Sequence, residues 1–143
     1  MENIIKTAGV LVFLENKVLL VRHGEKAGHL NDTYGVPAGR LESGESTIDA
    51  AVRELFEETG LITAIENLIK LPIEYTAAIE RKDGSIKNYN QDTFLCTNWS
   101  GELKANDETI PEWLNVAEIE KLKLLPNVKK MVLDALKLKQ NSV

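Results

Sequence analysis

The nine residues from Arg53 to Leu61, RELFEETGL, constrain the fold more than any other stretch of the chain. In the helix that they predict, Leu55 faces one side, and three glutamates share an arc about 100° wide on the other: Glu54, Glu57 and Glu58. Like charges four residues apart repel each other by a few tenths of a kcal/mol, and a merely solvated face would more often contain lysines. A solvated face with one Arg53–Glu57 ion pair is the alternative. Three carboxylates on a rigid face favour a site for a hard divalent cation, which prefers oxygen ligands.

Capping residues mark both ends of this helix. Ser46 and Asp49 form a start that resembles a capping box, and Gly60 suits the left-handed position after the last helical residue. A glycine-bearing turn (Gly39 to Glu45) precedes the helix and can bring backbone carbonyls and the Glu45 carboxylate against the acidic face. The predicted core stripe consists of Ile48, Val52, Leu55 and Thr59, with Ala51 and Phe56 on its flanks.

The remaining pattern predicts strands before and after the acidic helix. Residues 7–25 hold two runs rich in Val and Leu around Glu15–Lys17, which predicts a β-hairpin. A polar loop follows at residues 23–32, and residues 33–40 predict a short strand that ends at Pro37. Residues 61–99 are again β-like, with a hairpin turn at Asp83-Gly84.

The C-terminal part predicts a polar loop at residues 100–112, a short strand from Glu112 that runs into a helical turn, and an amphipathic helix from Leu125. No repeat, linker or composition break divides the sequence. We therefore expect one domain over residues 1–143, of the α/β (α+β) class, with mixed strands packed against helices.

The charge balance and the cysteine content limit the partners. The formal net charge is −5, so the surface attracts neither a nucleic-acid polymer nor an anionic membrane by bulk electrostatics. An anionic small ligand then needs a local cation. Cys96 is the only cysteine, which excludes an internal disulfide, and the N-terminal apolar run is too short for a membrane span. We expect a cytoplasmic protein that binds no membrane.

Residues 39–61, GRLESGESTIDAAVRELFEETGL, resemble the Nudix box: Gly, five residues, Glu, seven residues, then Arg-Glu-apolar-x-Glu-Glu-x-Gly-apolar. The hairpin before this segment, the strands after it and the closing helix are similar to the rest of a Nudix domain. One departure is Ala38, since PAG stands where many members have PGG, but alanine keeps the position small. All the defined positions match: Gly39, Glu45, Arg53, Glu54, Leu55, Glu57, Glu58, Gly60 and Leu61.

The resemblance implies an α/β/α sandwich with a mixed sheet and, with Mg²⁺ or Mn²⁺, hydrolysis of a nucleoside diphosphate linked to a further group X. It implies three metal ligands, Glu54, Glu57 and Glu58, of which Glu57 is expected to coordinate more than one ion. The Gly39 carbonyl is a further ligand. Glu45 is either another ligand or a hydrogen-bond partner that secures the loop.

Catalytic roles follow from the same resemblance. Arg53 is expected to orient a carboxylate through charge-assisted hydrogen bonds, and the alternative is a plain surface ion pair with Glu57. The general base is either a glutamate of the box or one on a downstream loop. Glu108, next to Asp107, matches the downstream position approximately.

A few residues outside the box are candidates for contact with the substrate. Arg22 ends a strand and is equally well explained as a phosphate ligand or as a surface arginine. Asn127 resembles in position an asparagine that reads a purine edge in MutT-like members, and helix capping is the alternative. Trp113 either stacks on a base or belongs to the core. His23 and His29 lie in a predicted loop, where lone histidines are mostly solvated.

The short chain favours, within the family, a MutT-like pyrophosphohydrolase that converts a (deoxy)nucleoside triphosphate or modified nucleotide into NMP and pyrophosphate. The alternative is a pyrophosphatase for ADP-ribose or a nucleotide sugar. A non-catalytic module that senses a nucleotide is a third hypothesis, against which the intact glutamates argue. The expected partner is a small-molecule nucleotide, and a homodimer is expected from the family alone.

Overall fold

The apolar run near the N-terminus forms the central strand of the protein, β1 (Ile4–Leu14), in a computed structural model that describes residues 3–141. Its successive side chains are buried on opposite faces of the sheet, because a strand alternates its side chains. Val10 and Val12 belong to one apolar cluster, whereas Leu11 and Phe13 belong to another. A strand that is apolar on both faces requires a layer on each side.

Seven further strands extend the sheet around β1. β1 pairs with β7 in parallel and with β2 and β4 in antiparallel orientation, so the sheet is mixed. β6 and β5 pair with β7, while β3 and β8 pair with β2. The strands are β2 (Lys17–His23), β3 (Tyr34–Gly35), β4 (Ala38–Arg40), β5 (Leu68–Lys70), β6 (Tyr75–Glu80), β7 (Ile86–Cys96) and β8 (Thr109–Asn115).

Two helices, α1 (Thr47–Thr59) and α2 (Val128–Asn141), cover opposite faces of the sheet. Leu55 of α1 packs in the cluster with Val10 and Val12, and Met131 of α2 packs in the cluster with Leu11 and Phe13. Short 3₁₀ helices lie at Ile65–Asn67 and Val116–Lys121. The predicted α/β/α sandwich with a mixed sheet is confirmed.

The predicted caps of α1 are present. The Ser46 hydroxyl accepts a hydrogen bond from the Asp49 N–H at 3.2 Å, and Gly60 adopts a left-handed φ of 86° immediately after the helix. The two predicted hairpins are present as well, since β1 pairs with β2 and β6 pairs with β7 across the Asp83-Gly84 turn.

Three local predictions were wrong, two because of strand pairing and one because of how α1 packs on the sheet. The chain re-enters the sheet after Pro37, since β4 pairs with β1. β8 begins at Thr109 instead of Glu112, because it pairs with β2 as far as His23. Phe56 is 56% exposed and is not a flank of the core stripe. Instead the buried face of α1 includes Ala50 and Glu54, and the Glu54 carboxylate lies against Gly39 of β4.

The expected single domain over residues 1–143 includes Met1, Glu2, Ser142 and Val143, which lie outside the described residues. Between residues 3 and 141, no helix is long and apolar enough to cross a membrane.

Candidate active site

A cleft of about 620 Å³ crosses one side of the sheet. Its floor runs over four neighbouring strands in the order β4–β1–β7–β6, so about three strand spacings, or about 14 Å, separate its two ends. The β6–β7 hairpin and the loop after β2 line the far end, and the start of α2 forms one wall. The near end, between α1 and the loop before β8, is lined by carboxylates: Glu54, Glu57, Glu58, Asp107 and Glu108.

Glu54 is held against the backbone of β4. Its side chain is buried, and a Cβ at position 39 would overlap its carboxylate, so the close approach requires Gly39. Burial raises the pKa of Glu54, and the hydrogen bond from Arg53 Nη1 to Oε1 (2.7 Å) opposes this rise. The first glycine of the box therefore has a steric role, which is to let a carboxylate lie directly on the strand.

Glu58 lies one turn further along α1 and reaches the same strand. Its Oε1 accepts a hydrogen bond from the Ala38 N–H at 2.8 Å. Burial raises the pKa of Glu58 to about 8; the Ala38 N–H opposes this rise, and the charges of Glu54, Glu108 and Glu57 add to it. The raised pKa thus comes from burial and from negative neighbours. A cation bound among these carboxylates would offset both and favour the ionised form of Glu58.

Arg53 links the preceding loop to α1. Its Nε and Nη2 donate to the two oxygens of Glu45 (2.8 and 2.7 Å), and Nη2 also donates to the Arg40 carbonyl (3.0 Å). Its Nη1 donates to Glu54 (2.7 Å) and Glu57 (3.1 Å). The hydrogen bonds from Arg53 are the main reason that the pKa of Glu45 falls to about 2. Arg53 therefore does more than form a surface ion pair with Glu57.

Of the two alternatives for Glu45, the geometry matches the hydrogen-bond partner that secures the loop. Both of its oxygens are engaged by Arg53, and the residue does not line the cleft. The expectation that Glu45 is a further metal ligand therefore has no support in the structure.

The donor set of the near end suits a hard divalent cation without forming a finished coordination shell. Within residues 3–141, no three His, Cys, Asp or Glu side chains are grouped so that they could hold a metal ion. Arg53 attracts Glu54 and Glu57, while Glu58 bonds to the Ala38 N–H. All donors are oxygens, which fits Mg²⁺ or Mn²⁺. Metal binding by Glu54, Glu57 and Glu58 stays a prediction.

Asn106 fixes the loop that carries Glu108. Its Oδ1 accepts hydrogen bonds from the N–H groups of Glu108 (2.7 Å) and Thr109 (2.8 Å), and its Nδ2 donates to the Glu57 carbonyl (2.9 Å). The loop is therefore attached to α1, and Glu108 lines the cleft. Asn106 was not among the predicted site residues, although an asparagine that bonds to the backbone two residues later is a known turn signal.

Asn127 lines the cleft at the start of α2. Its Nδ2 donates to the Thr76 carbonyl of β6 at 2.9 Å, and its backbone has a left-handed φ of 72°. This side chain joins α2 to β6 and makes no capping bond to α2 in the described chain. Contact between Asn127 and a base stays a prediction.

Arg22 and Trp113 lie outside the cleft. Arg22 pairs with Glu112 (Nε to Oε2, 3.0 Å) on the neighbouring strand. Trp113 packs against Trp99, with ring centroids 6.0 Å apart, and against the apolar cluster under α1. The expected phosphate contact of Arg22 therefore has no support, and the structure matches the alternative of a surface arginine. The expected base stacking of Trp113 has no support either, and the structure matches the alternative of a core tryptophan.

The two histidines expected to be solvated are instead packed together at the cleft. His23 is buried, and its Nδ1 donates to the Thr33 carbonyl at 2.9 Å. The rings of His23 and His29 meet edge to face at 4.7 Å. Burial is the main cause that lowers the pKa of both, to about 4 for His29. The loop after β2 folds back over the cleft, which a sequence-local interpretation could not foresee.

Comparison with known proteins agrees with this geometry. The family model described as NUDIX domain matches residues 4–136. An ADP-ribose pyrophosphatase from Methanocaldococcus jannaschii is 32% identical over 94 residues, covering 66% of this chain and 51% of that protein. An oxidized purine nucleoside triphosphate hydrolase from Danio rerio is 32% identical over 113 residues, covering 77% of this chain and 65% of that protein. The chain thus spans about half to two thirds of the length of these relatives.

A solved structure extends the similarity to the fold. The crystal structure of a MutT NUDIX hydrolase from Burkholderia pseudomallei has a TM-score of 0.76 at 19% identity, covering 95% of this chain and 98% of that chain. Because the family model covers most of the sequence, and the strands and helices superpose on a NUDIX structure, the chain belongs to the Nudix family.

Proposed function

We propose that the protein is a divalent-metal-dependent pyrophosphohydrolase, which cleaves the pyrophosphate linkage of a nucleoside diphosphate linked to a further group X. The observation that carries this proposal is the acidic end of the cleft, where Glu54, Glu57, Glu58 and Glu108 line one opening. Carboxylates alone repel a pyrophosphate. These carboxylates can therefore bind a pyrophosphate only through cations that lie between the protein and its substrate.

The groups that would hold Mg²⁺ or Mn²⁺ are the carboxylates of Glu54, Glu57 and Glu58 and the carbonyl of Gly39. A bound divalent ion offsets the charge of the pyrophosphate and lowers the pKa of a coordinated water. Arg53 keeps Glu54 and Glu57 oriented through its Nη1. The side chain of Glu57 is 51% exposed, which leaves it the freest of the three to turn toward a ligand in the cleft.

Hydrolysis needs a proton acceptor beside the reacting water. The water oxygen forms a bond to phosphorus, the anhydride P–O bond breaks, and its electron pair leaves with the departing phosphate group. The water proton passes to a carboxylate. Glu108 is the candidate that we favour, because its carboxylate makes no hydrogen bond within residues 3–141 and it lines the cleft. Glu57 is the alternative within the box.

The substrate that we propose is a (deoxy)nucleoside triphosphate or a modified nucleotide, with NMP and pyrophosphate as products. Beyond the acidic end, the cleft continues over β7 and β6, about 10 Å of sheet that can receive one nucleoside. A relative that shares 32% identity hydrolyses oxidized purine nucleoside triphosphates by its name. The second candidate substrate is ADP-ribose or a nucleotide sugar, because another relative at 32% identity is named an ADP-ribose pyrophosphatase.

A substrate panel tests both candidates. The purified protein is incubated with NTPs, dNTPs, oxidised dNTPs, ADP-ribose and nucleotide sugars, with Mg²⁺, with Mn²⁺ and with EDTA, and the products are separated. NMP with pyrophosphate supports the first candidate, and AMP with ribose 5-phosphate supports the second. Metal-independent turnover would contradict the metal requirement, and no turnover of any compound would contradict the proposal and favour a nucleotide-sensing module.

A cytoplasmic location and a homodimeric state complete the proposal. The single cysteine, Cys96, is buried and fits a reducing compartment, whereas the dimer rests on the family alone. Cell fractionation and sedimentation of the purified protein test the two statements separately.

A further inference from the structure

The loop after β2, residues 24–32, is closed at its base and attached to the rest of the protein at two further places. At the base, the Asp32 N–H donates to the His23 carbonyl at 2.9 Å, so the two ends of the loop lie side by side. The further attachments join the loop to the β6–β7 hairpin and to the loop before β8. A compact loop with closed ends can therefore link these two distant parts of the cleft wall.

Lys82, in the turn of the β6–β7 hairpin, makes the first attachment. Its Nζ donates to two consecutive carbonyls, those of Gly24 (2.9 Å) and Glu25 (2.6 Å). Its N–H donates to the Gly28 carbonyl at 3.0 Å. Because hydrogen bonds from an ionised donor are stronger than neutral ones, the ammonium group holds the first turn of the loop.

Gly24 makes the second attachment, to the backbone of Glu108. The Gly24 N–H donates to the Glu108 carbonyl at 2.8 Å, and the Glu108 N–H donates to Oδ1 of Asn106 at 2.7 Å. The N–H and the carbonyl of Glu108 are thus both held, which sets the direction in which its side chain leaves the backbone. Gly24 joins Lys82 to Glu108, since its carbonyl accepts from the first and its N–H donates to the second.

We propose that Lys82 is a positioning residue for Glu108, and that it acts through the backbone of Gly24. The inference rests on the proposed function, because it takes Glu108 as the group that accepts the water proton. Without the ammonium group, the carbonyls of Gly24 and Glu25 turn to water, and the base of the loop no longer holds the Glu108 carbonyl in one place. A small displacement of a proton acceptor slows the chemical step.

Lys82 can act on the reaction only through other residues, because it does not line the cleft. Its removal should therefore lower kcat and leave KM nearly unchanged. Arg81 also contacts the loop, since its Nη1 donates to Nε2 of His29 at 3.3 Å. Arg81 lines the cleft, however, so a substitution there would change the cleft itself.

Three variants separate the positioning bonds from the charge of Lys82. Lys82→Met removes the ammonium group at similar length and keeps the N–H that donates to Gly28. Lys82→Arg restores donors for the two carbonyls. Lys87→Met is the matched control, because Lys87 is another exposed lysine of the same hairpin that does not line the cleft, and its loss changes the net charge equally. Circular dichroism checks that each variant is folded, as the exposure of both lysines predicts.

Steady-state kinetics with Mg²⁺, on the nucleotide that the wild type hydrolyses best, give the first result. We expect Lys82→Met to lower kcat by about 5- to 50-fold with KM within about twofold of the wild type. Lys82→Arg should recover most of the loss, and Lys87→Met should match the wild type. In the background of Glu108→Gln, Lys82→Met should lower kcat by less than about twofold further, because the group that it positions is already removed.

Amide hydrogen exchange, followed by NMR without any nucleotide, gives the second result. The N–H groups of Gly24 and Glu108 should exchange about tenfold faster in Lys82→Met, because the loop base opens more often, and at the wild-type rate in Lys87→Met. An unchanged kcat, a loss that adds in full to that of Glu108→Gln, or unchanged exchange at both amides overturns the assignment of Lys82. Faster exchange at both amides, in a protein whose wild type hydrolyses no nucleotide, supports the link from Lys82 to Glu108 and overturns the proposed function.

Discussion

At the scale of single residues, Glu57 is the least constrained of the three predicted metal ligands. Its side chain is half exposed, and its carboxylate contacts Arg53 Nη1 at 3.1 Å. We expect Glu57→Gln to lower turnover by about 10²- to 10⁴-fold, because it removes a metal ligand or the proton acceptor. The melting temperature should stay within about 2 °C, since an exposed side chain carries little packing.

The control for this substitution is Glu66→Gln, an exposed glutamate in the first 3₁₀ helix. It should keep full turnover in the same assay. Near-wild-type hydrolysis by Glu57→Gln would remove Glu57 from the reaction.

Two glycines that precede α1, one in β4 and one in the following loop, should show opposite defects when changed to alanine. A Cβ at Gly39 would overlap the Glu54 carboxylate, which can move because it is the end of a flexible side chain. Gly39→Ala should therefore fold but lose about 100-fold in kcat/KM through a misplaced carboxylate. Gly44 has open space around it but a left-handed φ of 77°, so Gly44→Ala should keep turnover and lose about 1 kcal/mol of unfolding free energy.

Urea unfolding and steady-state kinetics on both variants measure the two effects. The steric explanation of Gly39 would be wrong if Gly39→Ala lost stability and kept its turnover, or if both variants showed the same defect.

At the scale of elements, Asn106 makes α1 and the loop before β8 one unit. Asn106→Ala removes bonds to the backbone of Glu108, Thr109 and Glu57, and because the residue is exposed we expect a stability loss of only about 1 kcal/mol. We also expect a lower kcat with a nearly unchanged KM, since the loop no longer holds Glu108 in place. Asn98→Ala, at an exposed position whose side chain makes no bond in the described chain, is the control.

A double-mutant cycle decides whether Asn106 acts through Glu108. If it does, Asn106→Ala should add little to the loss of kcat in Glu108→Gln. Fully additive losses would show that the two residues act independently.

The elements that the sequence predicted are those with local signals. Ser46 and Gly60 cap α1 through contacts within a few residues, and Asp83-Gly84 makes its hairpin in the same way. β4 was missed because a strand of three residues after Pro37 exists only through its pairing with β1. The exposure of Phe56 was missed for a related reason, since helical periodicity gives the faces of α1 but not which face meets β4.

At the scale of the whole molecule, the two ends of the cleft are encoded differently. The acidic end comes mostly from one continuous segment, residues 39–58, and for that reason it could be predicted from the sequence. The far end brings together His29, Arg81 and Tyr89, which are distant in sequence. Its floor depends on the parallel pairing of β1 with β7, which puts Thr7 beside Gln91. No local pattern specifies such a pairing, so Arg81 had no signal in the sequence.

The loop after β2 folds back over the cleft and buries His29, which makes the stability of the chain depend on pH. Its pKa is lowered from 6.5 to about 4, mainly by burial and further by His23 and Arg81. Between pH 4 and 6.5 the unfolded chain therefore binds a proton at this position that the folded chain does not bind. Stability contributed by the neutral form is fully present above pH 6.5 and is lost progressively as the pH falls toward 4.

We expect the melting temperature of the wild type to fall more steeply between pH 6.5 and 4.5 than that of His29→Gln, whose carboxamide oxygen can still accept from Arg81. Carboxyl groups titrate in the same range, but they are shared by both proteins and cancel in the comparison. Above pH 7 the two curves should run parallel, because the imidazole is then neutral in both the folded and the unfolded wild type. Curves that stayed parallel down to pH 4.5 would mean that His29 accepts a proton in the folded protein, and hence that the loop after β2 does not close over the cleft in solution.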